Sequence, residues 1–127
     1  MVSLVDLAPT LCDLANINVP AVMQGRSILG LLNDEQTVWT DEAFLEYHKQ
    51  TAVEGTAEME AKMRGIVFQH FKLIDYLDDT DMFFDLKRDP DETLNAVGAP
   101  QYVGVGKVLF QRLLQWRREM HDPVPIQ

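Results

Sequence analysis

A single cysteine, no long apolar run and a shortage of positive charge limit what this 127-residue sequence can be. Cys12 has no second thiol to pair with, so an internal disulfide is excluded. No stretch approaches the ~20 apolar residues of a membrane-spanning helix. The opening MVSLVDLAPT has neither the basic start nor the continuous apolar stretch of a secretory signal. Eleven Lys and Arg against twenty Asp and Glu leave a net charge of −9, which argues against nucleic acid and anionic membranes as partners. The acids concentrate in 34–60 and 75–92 and read as solvated faces. The locally basic stretch is carboxy-terminal, with Lys107, Arg112, Arg117 and Arg118. No internal repeat or low-complexity segment is present.

What remains is the composition of one globular domain, 46% hydrophobic and able to bury a core. Leu7, Leu11 and Leu14 recur at helical spacing and predict a short helix with one apolar face, with Cys12 beside it as a small buried hydrophobe. Asp6 is its expected N-cap, bonding the N–H of Ala8 because Pro9 has none to offer. Asn16 suits a left-handed exit and Pro20 blocks continuation. Gly25 makes the next turn, and Ser27 caps a short helical piece over 28–32.

Residues 42–47 (EAFLEY) predict a strand, and 56–63 (TAEMEAKM) a short helix supported by a Glu58–Lys62 pair. Strands follow over 65–70 and 71–77, joined by a tight link near His70, and a further one over 82–86. Asp89-Pro90-Asp91-Glu92 is a β-turn signal. Val105, Val108, Leu109, Leu113, Trp116 and Met120 form a wide stripe on a helix of about five turns, stopped by Pro123 and Pro125. The expected fold class is α+β: an antiparallel sheet of about four strands, packed by a long C-terminal helix and preceded by an N-terminal helix. One helix shields one face of a sheet, so the other face or the edges need another layer.

The segment 5–32 resembles the sulfatase family, in which a helix reading D-x-x-P-T-L-x-D-L-A is followed by V-P and a G-R-S-L-like turn. The matching residues are Asp6, Pro9, Thr10, Leu11, Asp13, Leu14, Ala15, Val19, Pro20, Gly25, Arg26 and Ser27. The likeness returns in Arg64, Ile66, Lys72, Leu73 and Ile74, then in Phe83, Phe84, Asp85, Leu86, Asp89, Pro90, Glu92 and Asn95, and in Trp116 and Asp122-Pro123. Phe84 stands where tyrosine is usual and Ala96 where leucine is. The likeness covers nearly the whole chain except roughly 33–63. It implies that residues 1–32 end a larger α/β sulfatase domain and that 33–127 form its smaller C-terminal α+β domain. It also implies that the acids of the D-L-x-x-D-P-x-E-x-x-N turn make turn and cap hydrogen bonds rather than chemistry.

The resemblance further implies that a full-length parent hydrolyses sulfate esters with a formylglycine nucleophile and calcium. The family makes the nucleophile from C-x-P-x-R or S-x-P-x-R, whereas Cys12 is followed by Asp13, Leu14, Ala15 and Asn16. The family's metal-binding acids precede the segment that opens this chain. No residue here is therefore assigned as catalytic or as a metal ligand. Asp78, Asp79 and Asp81 read as a solvated turn without the spacing of a calcium loop, and His48, His70 and His121 lack zinc-site spacing. His48, just past the end of the first strand, is the one candidate substrate-binding residue, able to donate to a sulfate or a sugar hydroxyl; otherwise it is a surface histidine. Residues 51–63 are a neighbouring rim, a subunit contact or a surface insertion. The expected role is a C-terminal domain that supports a sulfatase and the rim of its pocket, inactive in isolation. A phosphonate monoesterase or other phosphoryl-transfer parent is one alternative, and a stand-alone interaction or oligomerisation module another. The expected partner is a catalytic domain or, failing one, a second copy through exposed apolar surface.

Overall fold

The computed structural model describes residues 1–33, 38–48, 62–76 and 80–123. The chain divides into two compact units, Met1–Ala43 and Phe44–Gln127.

In the first unit a single 3₁₀ turn, Leu4–Asp6, leads into α1 (Leu7–Leu14), and α2 (Leu29–Leu32) follows. α1 ends as its sequence predicts. Asn16 adopts φ 54°, the Ile17 N–H reaches the Cys12 carbonyl (2.9 Å) and the Asn16 N–H that of Asp13 (3.0 Å), a Schellman closure. The helix start departs from expectation. The Asp6 carboxylate does not cap its own helix. It accepts from the Ser3 N–H and, twenty residues on, from the Arg26 N–H, both at 2.9 Å. Thr10 donates to the Asp6 carbonyl (2.6 Å) and accepts from the Ile28 N–H (3.0 Å). Ser27 accepts from the Leu29 N–H at 3.3 Å and so starts α2.

Those bonds dictate which face of α1 turns inward. Asp6 and Thr10 are buried because the Arg26 and Ile28 N–H groups need their oxygens, and Pro9 is buried between them. The leucine face, read as the packing face, is the outer one: Leu7, Leu11 and Leu14 are 54%, 57% and 56% exposed. Cys12 is half-buried. Gly25 lies against the 3₁₀ turn so closely that a Cβ would sit 2.0 Å from the Val5 carbonyl oxygen. The Arg26 guanidinium lies over the Trp39 ring at 4.5 Å, and the Trp39 indole N–H donates to the Met1 carbonyl.

The second unit is built on a four-stranded antiparallel sheet in the order β1 (Glu42–His48), β2 (Lys62–Phe68), β3 (Phe71–Tyr76), β4 (Met82–Asp85), with the unit boundary falling inside β1. β2 begins at Lys62, so the last two residues of the predicted 56–63 helix are strand, and the rest lie outside the described residues. Met63 pairs with Tyr76, and sheet pairing overrides the helix propensity of this stretch. A two-residue turn with Gln69 at φ 53° closes β2 onto β3 at Phe68↔Phe71.

Register places Ile66, Leu73 and Phe83 side by side across three strands, under Leu109 and Leu113 of α3 (Val103–Glu119). These five side chains are almost fully buried, each stabilising by about 1.5–3 kcal/mol relative to exposure. Phe44 of β1 stacks on Trp116 with ring centroids 4.7 Å apart and planes 2° from parallel. The opposite sheet face carries Gly65, Ile74 and Phe84, all buried. α3 closes like α1: His121 takes φ 52°, and the Asp122 N–H bonds the Arg117 carbonyl at 2.9 Å.

Candidate functional site

Charge enters the core along one line. Arg64 and Asp75 are paired across β2 and β3 on the helix-facing side of the sheet, and Arg117 comes down from α3, one turn beyond Leu113. Each arginine is 2% exposed. The Schellman closure swings Asp122 back over both. Arg64 donates from Nε to Oδ2 of Asp122 (2.8 Å) and from Nη2 to Oδ1 (2.9 Å), while Arg117 Nε donates to the same Oδ2 (2.9 Å). Arg64 Nη2 also lies 3.1 Å from Glu46 Oε1 on β1, and Arg117 Nη1 lies 3.5 Å from Asp75 Oδ2. The hydrogen bonds with Asp122 hold the Arg64 guanidinium above its ordinary value, against the opposing effect of burial. Burial pushes the Asp75 carboxyl up, as does Asp81, and Arg117 and Arg64 oppose both.

The network thus joins three strands, α3 and the segment after it, with two guanidiniums shared among three carboxylates. The sequence marks Arg64 as part of a family-like motif and Arg117 only as part of the basic carboxy-terminal stretch. The missed signal is its position four residues after Leu113, on the buried stripe.

The Asp85–Asn95 turn is equally committed to the fold. The Asp85 carboxylate accepts from the Lys87 N–H (3.1 Å) and the Tyr102 hydroxyl (3.0 Å). Asp89 accepts from the N–H groups of Thr93 (3.0 Å) and Leu94 (2.9 Å) and from the Thr93 hydroxyl (2.9 Å). Those two N–H groups hold the Asp89 carboxyl below its ordinary value. The Asp89-Pro90-Asp91-Glu92 β-turn forms as read, with the Glu92 N–H 3.2 Å from the Asp89 carbonyl. Glu92 takes φ 54° and reaches Lys72 Nζ at 2.6 Å. Asn95 accepts from the Phe83 and Val97 N–H groups and donates to the Asp81 carbonyl (3.0–3.1 Å). With the Ala96 N–H on the Phe83 carbonyl (2.8 Å), this segment covers the free edge of β4.

Several clefts among the described residues adjoin Tyr102. One of about 580 Å³ has Leu73, Phe83, Tyr102 and Phe110 as apolar walls, with Asp81 and Lys107. A second, about 680 Å³, is lined by His70, Asp85, Lys87, Arg88 and Tyr102, and the two Asp85 oxygens already accept from the Lys87 N–H and the Tyr102 hydroxyl. His48 is the last residue of the edge strand β1, and its side chain lies outside the described residues, as do Asp78, Asp79 and 49–61. β1 itself is fixed through Phe44 on Trp116 and Glu46 on Arg64. Among the described residues no three His, Cys, Asp or Glu side chains converge as metal ligands. Calcium has no fitting ligand set among them.

Residues 1–119 match the family model described as N-sulphoglucosamine sulphohydrolase, C-terminal. The chain is similar to the N-acetylglucosamine-6-O-sulfatase of Bacteroides thetaiotaomicron, 35% identical over an alignment of 127 positions that covers 95% of this chain and 22% of that protein. It is similar in structure to BT4656 in complex with its substrate D-glucosamine-2-N,6-O-disulfate, with a TM-score of 0.77 and 31% identity over 94% of this chain and 24% of that one. The phosphonate monoester hydrolase of Agrobacterium radiobacter shares the fold, with a TM-score of 0.76 at 23% identity over 90% of this chain and 24% of that one. The chain therefore spans about a quarter of the length of the relatives it matches. On the match over residues 1–119, the chain belongs to the N-sulphoglucosamine sulphohydrolase C-terminal family of sulfatases.

Proposed function

We propose that this chain is the supporting C-terminal domain of a sulfuric ester hydrolase acting on a sulfated amino sugar, and that it lends the enzyme structure and a pocket rim rather than reacting groups. The observation that carries the reading is the use of its motif residues. Arg64, Asp85, Asp89, Asn95 and Asp122 direct their polar atoms to partners within their own unit. Charges held in this way position elements and leave little capacity for attacking or protonating a substrate. The substrate class is taken from the relatives that act on N-acetylglucosamine 6-O-sulfate and on a disulfated glucosamine. In the parent enzyme, formylglycine and calcium supply the nucleophile and the charge neutralisation, from sequence other than the residues described here.

His48 is the chain's contribution to the rim. It is the last residue of β1, a strand held by the Phe44–Trp116 stack and the Glu46–Arg64 pair. There an imidazole donates to a sulfate or sugar oxygen.

The test is turnover by the purified 127-residue chain, supplied with calcium and either an aryl sulfate or an aryl phosphonate monoester. The expected result is no hydrolysis above blank with either. Hydrolysis abolished by a substitution within this chain overturns the supporting role, and hydrolysis of the phosphonate alone favours a phosphoryl-transfer parent.

A further inference from the structure

The cleft of about 580 Å³ beside Tyr102 lies entirely within the second unit. Its apolar walls are Leu73, Phe83, Tyr102 and Phe110, three of them aromatic. Backbone hydrogen bonds hold these walls in place. Leu73 and Phe83 are paired across β3 and β4. The Ala96 N–H reaches the Phe83 carbonyl at 2.8 Å, the Ala99 N–H the Ala96 carbonyl at 3.1 Å, and the Tyr102 N–H the Ala99 carbonyl at 2.9 Å. The lining therefore runs without a break from the sheet into α3. Its volume, its fixed apolar walls and its few polar groups are those of a small-molecule site.

Two positions keep the cleft open. Ala96 packs against the core on the lining, where leucine is usual in the sulfatase motif. A leucine side chain there would extend into the space. Gly106, in the first turn of α3, also lies on the lining. Its φ is not positive, and a Cβ would stand 3.9 Å from Phe83 Cδ2, an ordinary contact. Sterics therefore do not demand glycine, which weakens a helix relative to alanine. Packing would favour a larger residue at the first position and helix propensity a different one at the second, yet both small residues enlarge the same cleft.

The polar groups set the charge of the ligand. Lys107 follows Gly106 on the lining, is exposed, and among the described residues has no ion-pair or hydrogen-bond partner. Asp81 lies on the lining too, but its carboxylate accepts from the backbone of Tyr76, and burial pushes its carboxyl up against the effect of that bond. The charge left to meet a ligand is positive. We propose that this cleft binds a small aromatic anion, with its ring among Phe83, Tyr102 and Phe110 and its anionic group paired with Lys107. The site is separate from the rim role given to His48 and does not depend on it.

The test titrates naphthalene-2-sulfonate into the isotope-labelled 127-residue chain and follows the backbone amide shifts. The expected result is saturable one-to-one binding, with the largest shifts at Ala96, Val97, Gly106 and Lys107. A96L and G106L fill the cleft and should weaken binding at least tenfold with unchanged circular dichroism. Should either fail to fold, G106A adds a methyl group that meets only an ordinary contact, and it should still weaken binding at least twofold. K107Q should weaken the sulfonate at least fivefold and leave the uncharged naphthalen-2-ylmethanol within twofold. Shifts that do not saturate, or that fall away from the cleft, overturn the site, as does unchanged affinity in the folded filling variants. Tighter binding of naphthalen-2-ylmethylammonium than of the sulfonate overturns the anionic assignment and makes Asp81 the recognising group. A K107Q variant that weakens the charged and uncharged probes equally overturns the pairing with Lys107. Binding is read without turnover, so none of these outcomes turns on the reaction of a parent enzyme.

Discussion

Arg64 and Asp122, 58 residues apart, form a two-pronged ion pair in which Nε and Nη2 of the guanidinium meet both oxygens of the carboxylate at 2.8 and 2.9 Å. Arg117 takes a third position on the same carboxylate. Asp122 thus bonds both buried arginines through contacts of 2.8–2.9 Å, and its side chain is itself 5% exposed.

Removing that carboxylate strands two buried cations. Asp122→Ala is expected to cost about 3–5 kcal/mol, the range for breaking a buried pair by deleting one partner. Asp122→Asn keeps an acceptor without the charge and should fall between wild type and the alanine variant. Urea unfolding followed by Trp fluorescence measures both. A loss below about 1 kcal/mol for Asp122→Ala would mean that water or Glu46 takes over the role.

The Lys72–Glu92 contact is as short, 2.6 Å, and should matter far less. Both side chains remain partly exposed, 20% and 35%, and such pairs contribute about 0.2–1 kcal/mol. Glu92 also sits at φ 54°, a conformation that costs a non-glycine residue about 1–2 kcal/mol. Glu92→Gly trades one against the other, so its unfolding midpoint should lie within the equivalent of about 1 kcal/mol of wild type. A loss of several kcal/mol would show that the turn depends on the ion pair.

These contrasts explain what was legible beforehand. Local rules worked where the controlling partner was near in sequence. The Asn16 exit, the Asp89–Glu92 turn and the buried Leu109 and Leu113 of the terminal helix all follow from spacing and residue type. They failed where the partner was distant. The inward face of α1 is set by N–H groups at Arg26 and Ile28 that periodicity does not see, so the leucine row was assigned to the wrong side. Lys62 and Met63 read as helix until β3 supplies a strand to pair with. Arg117 looked like one more basic residue until Asp75 and Asp122 met it in the core. The family motif flagged Arg64 and Asp122 separately without saying that they touch.

Gly25 shows why the two parts of the amino-terminal motif occur together. A methyl group there would sit 2.0 Å from the Val5 carbonyl oxygen and 2.8 Å from the Asp6 nitrogen, both backbone atoms that have no rotamer to yield. Gly25→Ala therefore has to lift the 25–28 turn, weakening the bonds from Arg26 to Asp6 and from Ile28 to Thr10. The expected cost is about 1–3 kcal/mol or more, the range for overpacking. Faster amide exchange at Arg26 and Ile28 is the specific readout. Unchanged exchange at both would show that the close approach can relax at no cost.

The carboxylates divide by the direction in which the fold moves them, and this fixes the sign of the pH dependence. Asp89 is held below its ordinary value of 3.8 by the Leu94 and Thr93 N–H groups, so the native state binds its proton less readily than the unfolded chain does. Its stabilising contribution is complete above 3.8 and is lost as pH falls through the lower folded value. Asp75 is moved the other way by burial and by Asp81, so its contribution declines as pH rises above 3.8. Thermal melts across the acid range should therefore show Asp89→Asn less stable than wild type near neutrality, with the two melting temperatures converging as the pH drops below 3.8. For Asp75→Asn the difference from wild type should shift in favour of the variant as pH rises. An Asp89→Asn deficit that stays constant across this range would mean that the charge carries none of the effect and that the loss comes from the amide NH2 facing one of the N–H donors at Thr93 and Leu94.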